Sequence, residues 1–319
     1  MSDSFFKVLR SGINTTYQDE GRFGLQHLGI PPGGCMDQKS FLVANAVVGN
    51  KKNYGVIEFV YQGPMLKLVK GKTKIGITGN VHFKIIKSNN VIIDGECDRS
   101  YNLKEGDTID ILATKKSTYG YLSIEGGFKL KPFFNSVSTL VKSKIGPNRG
   151  NKIKVDDKVI INENSKNKNN FKATNSSEDI NIIRVLKGPQ YNYFSEESKK
   201  KFFSQNYKIT NLTDRMGMRL QGASLKNIIS TNIRSEGITK GAIQVPADGQ
   251  PIILLTDHPT IGGYPKIANI ISADYDLLVQ KTPGINILFK CISLQEAEQL
   301  YKSNCNNISK ILKSIMEII

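Results

Sequence analysis

The 319-residue chain has no tryptophan, three histidines and four cysteines, and each scarcity removes a class of chemistry. Cys35, Cys97, Cys291 and Cys305 show no C-x-x-C spacing, and His27, His82 and His258 are as scattered. Neither a metal site nor a disulfide framework is expected from them. Thiols this sparse suit a reducing compartment, so a cytoplasmic location is expected. No apolar run approaches the ~20 residues of a membrane helix, and no membrane association is expected. The start, Met1–Lys7, lacks a basic segment followed by an apolar one, so no secretory signal is expected. Acidic residues are also short: 28 against 44 basic, a net charge of +16. The lysines are spread along the chain beside Asn and Ile, as in Lys166–Asn170, with no aromatic-interleaved basic motif. Nucleic-acid binding is therefore not expected. A modest attraction for anionic substrates or acidic partner proteins is. Hydrophobic content of 39% and charged content of 23% describe a globular chain, long enough for one large domain or two ordinary ones.

What is present is concentrated first between Gln18 and Asn50. Five glycines and two prolines fall between Gly21 and Gly34, mixed with Asp19, Arg22 and Gln18. Glycine lets backbone approach a ligand or adopt positive φ, and Pro31–Pro32 stiffens the segment between. A tight structural turn is the plain alternative to a site. A helix should follow, with Asp37 as N-cap, Gln38–Val48 as body and Gly49 as terminator. Its N-terminus would stand behind Gly33 and Gly34, where free N–H groups can receive a carboxylate or phosphoryl group.

Short β-branched runs separated by Gly, Asn and Asp fill residues 53–128: Val56–Val60, Lys74–Thr78, Val81–Ile86, Val91–Ile93 and Tyr121–Ile124. Their spacing argues for an antiparallel barrel or sandwich rather than βαβ units. A polar stretch over 162–181 is expected to be a loop or linker. It separates an N-terminal β-rich subdomain, 1–161, from a second over 182–295. That half should hold strands at Asn181–Leu186, Ile252–Leu255 and Asn286–Phe289, and a helix near Ser195–Gln205 with acids early and lysines late. Apolar residues recur at helical spacing after Ser293, giving a helical tail over 296–319 that packs on the body or, less simply, docks a partner.

A second constellation spans Gln244–Lys266. Gln244–Pro251 and Thr256–Lys266 place polar groups, including Gln250, Asp257 and Tyr264, at both ends of an apolar strand. Gly262–Gly263 is expected to open a helix, with free N–H groups beside an acid and Lys266. Upstream, Arg215 and Arg219 stand four apart; an extended segment would put both on one face, as carboxylate or phosphate recognition requires. Structural arginines bonded to loop carbonyls are the alternative.

Together these motifs resemble the family variously called allophanate hydrolase subunit 2, biotin-dependent carboxyltransferase domain, and the C subunit of 5-oxoprolinase. The resemblance rests on Gln18–Gly24, Gly29–Asp37, Ser40 and Ala44–Asn45. It continues through Gly188–Gln190, Asp214–Gly217, Ser235–Ile238, Gly241–Pro246 and Gly262–Lys266. It covers roughly residues 8–300. One mild departure is Asn135–Ser136 before Ser138–Thr139, where the family has Gly-Ser.

The resemblance implies a mainly β fold with a few helices, as two cyclophilin-like β-barrel subdomains. It implies one subunit of an ATP-dependent 5-oxoprolinase, partnered by sister subunits of A and B types, that opens 5-oxoproline to glutamate. By analogy, Arg215, Arg219 and Arg22 would bind anions, and Asp257 and Asp19 would act as acid/base or positioning groups. Gln18, Gln244, Gln250 and Tyr264 would orient the amide. The alternatives are a carboxyltransferase of a biotin-dependent carboxylase and a non-catalytic regulator. The chain has no Met-Lys-Met biotin attachment site. Nor has it a complete ATP motif: Gly71–Thr73 resembles the end of a phosphate loop, but Leu66 stands where its first glycine is needed.

Overall fold

The computed structural model describes residues 3–162, 169–174 and 180–318. The chain forms two compact units. The first comprises residues 1–22, 33–176 and 308–319, and the second comprises 23–32 and 177–307. Neither is one continuous segment. Residues 163–168 and 175–179 of the expected linker lie outside the described residues. Within that polar stretch, Asn170–Lys172 is a strand rather than a loop.

The first unit has two sheets. One runs, in spatial order, Lys158–Ile161, Ser4–Arg10, Met65–Lys70, Thr108–Thr114, Val81–Ile86 and Ile92–Asp94. The other runs Thr16–Gln18, Val56–Val60, Tyr119–Ile124, Lys72–Thr78, Arg99–Lys104, Asn170–Lys172 and Met316–Ile318. Alternation in Val81–Ile86 turns Val81, Phe83 and Ile85 inward. They join Phe6, Val8, Ile57, Phe59, Ile75, Ile77 and Leu122 in one core drawn from both sheets. The Gln38–Val47 helix lies on the second sheet. Gly76 permits this, since a Cβ there would stand 2.5 Å from Val47. Thr78 Oγ1 donates to the Ser40 carbonyl, 2.8 Å, across the same contact.

The second unit contains a closed barrel of seven strands. Around it run Ile182–Lys187, Lys266–Ile270, Ala242–Gln244, Ile252–Leu254, Gly217–Gln221, Tyr207–Thr213 and Asn286–Cys291. Ile182–Lys187 and Asn286–Cys291 pair in parallel; the other neighbours are antiparallel. The Glu196–Ser204 helix, capped by Ser195, places Phe202 on the ring of Phe289 with centroids 4.6 Å apart. Glu236–Gly237 and Ile261–Gly262 form a separate two-stranded ribbon.

Three local expectations need correction. No helix opens at Gly262–Gly263: Ile261–Gly262 and Lys266–Ile270 are strands, and the next helix is Ser272–Val279. Pro265 drives Tyr264 away from helical geometry. Arg215 and Arg219 do not share an extended face. Arg215 precedes the Gly217–Gln221 strand in a turn where Asp214 accepts from the Met216 and Gly217 amides. The tail is helical over Leu294–Lys313 but ends in a strand, Met316–Ile318, which pairs with Asn170–Lys172. Near its start Ala297 and Leu300 pack with Ile271 and Ile292; near its end Ile311, Leu312 and Ile315 pack with Val43, Val47, Val48 and Ala173.

Candidate functional site

The first dense motif folds into a polar network drawn largely from its own unit. Gln18, fully buried, accepts from Ser138 Oγ at 2.6 Å and donates to Thr16 Oγ1 and the Thr139 carbonyl. Gly34 N–H donates to the same Ser138 Oγ, 2.7 Å. Gly34 is held at φ +96°, and a Cβ there would lie 2.9 Å from the Glu20 backbone. Gly33 is also at positive φ, close to Ser138. Asp19 accepts from Gly21 N, Ser136 Oγ and Val137 N, at 2.8, 2.7 and 2.7 Å. Buried Arg22 donates to the Ser138 carbonyl. Behind this loop the helix N-terminus is occupied by its own cap: Asp37 accepts from Ser40 N and Ser40 Oγ. Most of the motif's polar groups thus bond within its own unit, mainly with Ser136–Thr139, although the buried Arg22 Nε and Nη1 meet no hydrogen-bond acceptor among the described residues.

In the second unit Arg215 and Asp257 are locked together. Nε reaches Asp257 Oδ2 at 2.8 Å and Nη2 reaches Oδ1 at 2.9 Å, a bidentate pair with side chains 7% and 12% exposed. Asp257 N–H also donates to the Arg215 carbonyl, 2.8 Å. Next to it, buried His258 sets Nδ1 2.6 Å from the Pro259 carbonyl, and burial pushes its pKa below 6.5. Gln250 exchanges bonds with Gly222, its Oε1 accepting from Gly222 N and its Nε2 donating to Gly222 O. Arg219 stands apart, 3.7 Å from Asp248, along an open cavity of about 420 Å³ that Asn211, Asp214 and Ile252 also line. Tyr264 is exposed.

Lys266 organises the cluster with most chemical promise. It begins a barrel strand, is buried, and pairs its ammonium with the carboxylate of Glu236. Gln190 Nε2 donates to Glu236 Oε1, 2.9 Å, while Gln190 Oε1 accepts from Lys266 N, 3.1 Å. The Lys266 ammonium, with the Gln190 amide, holds the Glu236 carboxyl below the usual carboxylate range. Gln244, 5% exposed, has no acceptor for its Nε2 among the described residues. That atom lies 2.5 Å from where a Cβ on Gly262 would stand. Gly188 brings Gln190 in: a Cβ there would lie 2.3 Å from the Lys266 carbonyl. An ammonium and two carboxamide donors can recognise a carboxylate or hold developing negative charge.

This cluster unites Gln244, Gly262 and Lys266 from the expected set. Gly263 lies beside it, its carbonyl accepting from Ile233 N. Asp19, Arg22, Gln18, Gly33 and Gly34 form the first-unit network. Arg215 with Asp257, Arg219 and Gln250 occupy separate positions in the second unit. Gln190 and Glu236 complete the cluster from outside the expected set. The available signal was their place in short Gly-bounded segments, Gly188–Gln190 and Ser235–Ile238.

The model of the carboxyltransferase domain, subdomains A and B, matches residues 28–291. The chain belongs to the carboxyltransferase domain family. Similar family members include the 5-oxoprolinase C subunit of Haemophilus influenzae, 32% identical over 313 residues, covering 97% of this chain and 98% of that one. The 5-oxoprolinase C subunit of Escherichia coli is 32% identical over 298 residues, covering 91% and 92%. Among solved structures, the urea amidolyase of K. lactis superposes with a TM-score of 0.86 at 28% identity. It covers 98% of this chain, which spans only 20% of that much longer one. The family match takes in Gln190, Glu236, Gln244 and Lys266 together.

Proposed function

We propose that the chain is the C-type component of a multi-subunit 5-oxoprolinase, which opens 5-oxoproline to L-glutamate with ATP in a complex with A- and B-type subunits. The observation that carries this is the end-to-end match with two proteins named as 5-oxoprolinase C subunits. The Lys266 cluster adds chemical sense. Substrate and product are both small carboxylates, and the lactam oxygen gains negative charge as the ring opens. Lys266 and Gln190 would hold such a carboxylate, and the Gln244 amide would donate to the ligand or its amide.

Gly71–Thr73 does not suit a nucleotide. Lys72 opens the Lys72–Thr78 strand and Thr73 Oγ1 turns to the Lys74 carbonyl, so Gly71–Thr73 leads into no helix and forms no phosphate loop. The ATP of the complex would bind at a site shared with a sister subunit or wholly on one.

The test is reconstitution: the chain with its sister subunits, assayed for glutamate released from 5-oxoproline with and without ATP. Release that requires both this chain and ATP is expected. Lys266→Met should lower turnover at least about 100-fold, the scale of losing one charge-stabilising donor, while the complex still assembles. A complex that assembles without turnover would defeat the reading. The likeness to urea amidolyase favours a second reading, carboxyl transfer involving a biotin carrier. Carboxyl transfer that depends on an added biotinylated carrier, without 5-oxoproline turnover, would select it.

A further inference from the structure

We propose that Glu236 is an exchangeable internal carboxylate: it occupies the cationic pocket formed by Lys266 and Gln190 until a ligand carboxylate displaces it. The inference rests on the reading of this cluster as a carboxylate site and adds how that site is kept closed.

The two ends of the Lys266–Glu236 pair are differently held. Lys266 is 6% exposed and lies in a barrel strand hydrogen-bonded on both sides, to Ile182–Lys187 and Ala242–Gln244. Glu236 is 43% exposed and sits on the two-residue ribbon, whose strand pairing among the described residues is to Ile261–Gly262 alone. One partner is part of the barrel wall; the other is carried by a flap. Ile233 N–H to the Gly263 carbonyl, 2.8 Å, and Ile238 N–H to the Thr260 carbonyl, 3.2 Å, hold that flap. Its margins expose Ile228, Ile229 and Ile261 to water.

A buried ammonium is costly without a counter-charge, and Glu236 is its one ion-pair partner among the described residues. An incoming carboxylate can take over that role without leaving Lys266 uncompensated, so exchange is far cheaper than removal. The second, independent sign is Gln244. Its Nε2 is buried, lacks an acceptor, and lies against Gly262, the residue paired with Glu236 in the ribbon. Glu236 supplies the counter-charge for Lys266 and accepts from Gln190 but leaves this third donor open. A ligand bearing both a carboxylate and an amide or second oxygen would engage all three. The class implied is a small carboxylate with a neighbouring carbonyl, such as a lactam acid or an amino-dicarboxylate.

The experiment measures binding of glutarate, L-glutamate and 5-oxoproline to the full-length chain by calorimetry. It compares wild type, Glu236→Gln, Lys266→Met and the double variant, with thermal unfolding confirming that each is folded. Gln at 236 keeps an acceptor for Lys266 while removing the competing charge. Binding of at least one of these ligands should tighten about tenfold or more in E236Q and vanish in K266M. The double variant should bind no better than K266M, which separates exchange from a general loss of negative charge. A folded E236Q that binds all three no more tightly than wild type overturns the proposal, as does tightening that persists in the double variant. Failure of the oxoprolinase reading shows differently: the reconstituted wild-type complex would release no glutamate from 5-oxoproline, whatever the binding series reports.

Discussion

Replacing Asp257 by Ala should destabilise the second unit by about 3–5 kcal/mol, the cost of breaking one side of a buried ion pair. Both oxygens of Asp257 are engaged by Arg215, at 2.8 and 2.9 Å, and the guanidinium is too buried for water to replace them. The backbone is tied at the same point, Asp257 N–H to Arg215 O, and the next bond, Leu255 N–H to Met216 O at 3.0 Å, fastens the adjoining strand end. Loss of the carboxylate should loosen all of this together. With two units and no tryptophan, a single global melt is a poor readout. Amide exchange at Leu255 and Leu220 reports locally. Their protection should fall by about two to three and a half orders of magnitude, at about 1.4 kcal/mol per tenfold. The double variant Arg215→Met with Asp257→Leu should recover most of the loss, because an apolar pair of similar volume carries no desolvation penalty. Protection in D257A within about threefold of wild type would refute the argument. The same double variant tests a catalytic role for Asp257. A stable variant that supports turnover in the complex leaves the pair structural, and a stable but inactive one makes it part of the chemistry.

Three further outcomes follow from the geometry. Ser138→Ala removes the acceptor of Gly34 N–H and the donor to Gln18 Oε1, and should cost about 1–3 kcal/mol for each buried group left unsatisfied, measured by urea unfolding of the first unit. Gly34→Ala meets both a positive φ and the Glu20 backbone at 2.9 Å, so a loss on the order of 1–3 kcal/mol or more is expected, with increased proteolysis of the 20–36 loop as the check. His258 is buried with its pKa held below 6.5, so the folded state binds fewer protons than the unfolded chain as pH falls. Stability of the second unit should be full above 6.5 and decline below it until the folded pKa is reached. Amide-exchange protection at Leu255 and Leu220, corrected for intrinsic exchange and followed from about pH 8 to about pH 5, should show that slope in wild type and a shallower one in His258→Gln.

The fold was legible where local chemistry and tertiary packing agree. Asp37 caps its helix, Gly49 follows it at φ 77°, and Ser195 caps Glu196–Ser204, because those residues satisfy helix ends whatever surrounds them. Strands such as Val56–Val60 and Val81–Ile86 announced themselves by β-branched content. Tyr207–Thr213 did not, since Lys208, Thr210 and Asn211 dilute its pattern; pairing with Gly217–Gln221 and Asn286–Cys291 holds it extended. Ser272–Val279 has no side-chain cap to mark its start. The glycine-rich run was visible as unusual, but its polarity is spent on Ser136–Thr139, about a hundred residues away, and no local pattern encodes that partnership. The Lys266 cluster was half visible for the same reason. Gln244 and Lys266 stand in a dense motif, whereas Gln190 and Glu236 arrive from segments that only barrel closure brings near.

The strand Met316–Ile318 has a consequence for how the protein is made. It closes the edge of a sheet whose first strand is Thr16–Gln18, so that one sheet joins segments about three hundred residues apart, on either side of the second unit's barrel strands. On the ribosome, the second unit's barrel can close once Asn286–Cys291 has emerged, while the earlier-synthesised unit still waits for its final strand. Order of synthesis and order of completion are inverted. During that interval Asn170–Lys172 is an open strand edge, the kind of surface a nascent-chain chaperone would shield.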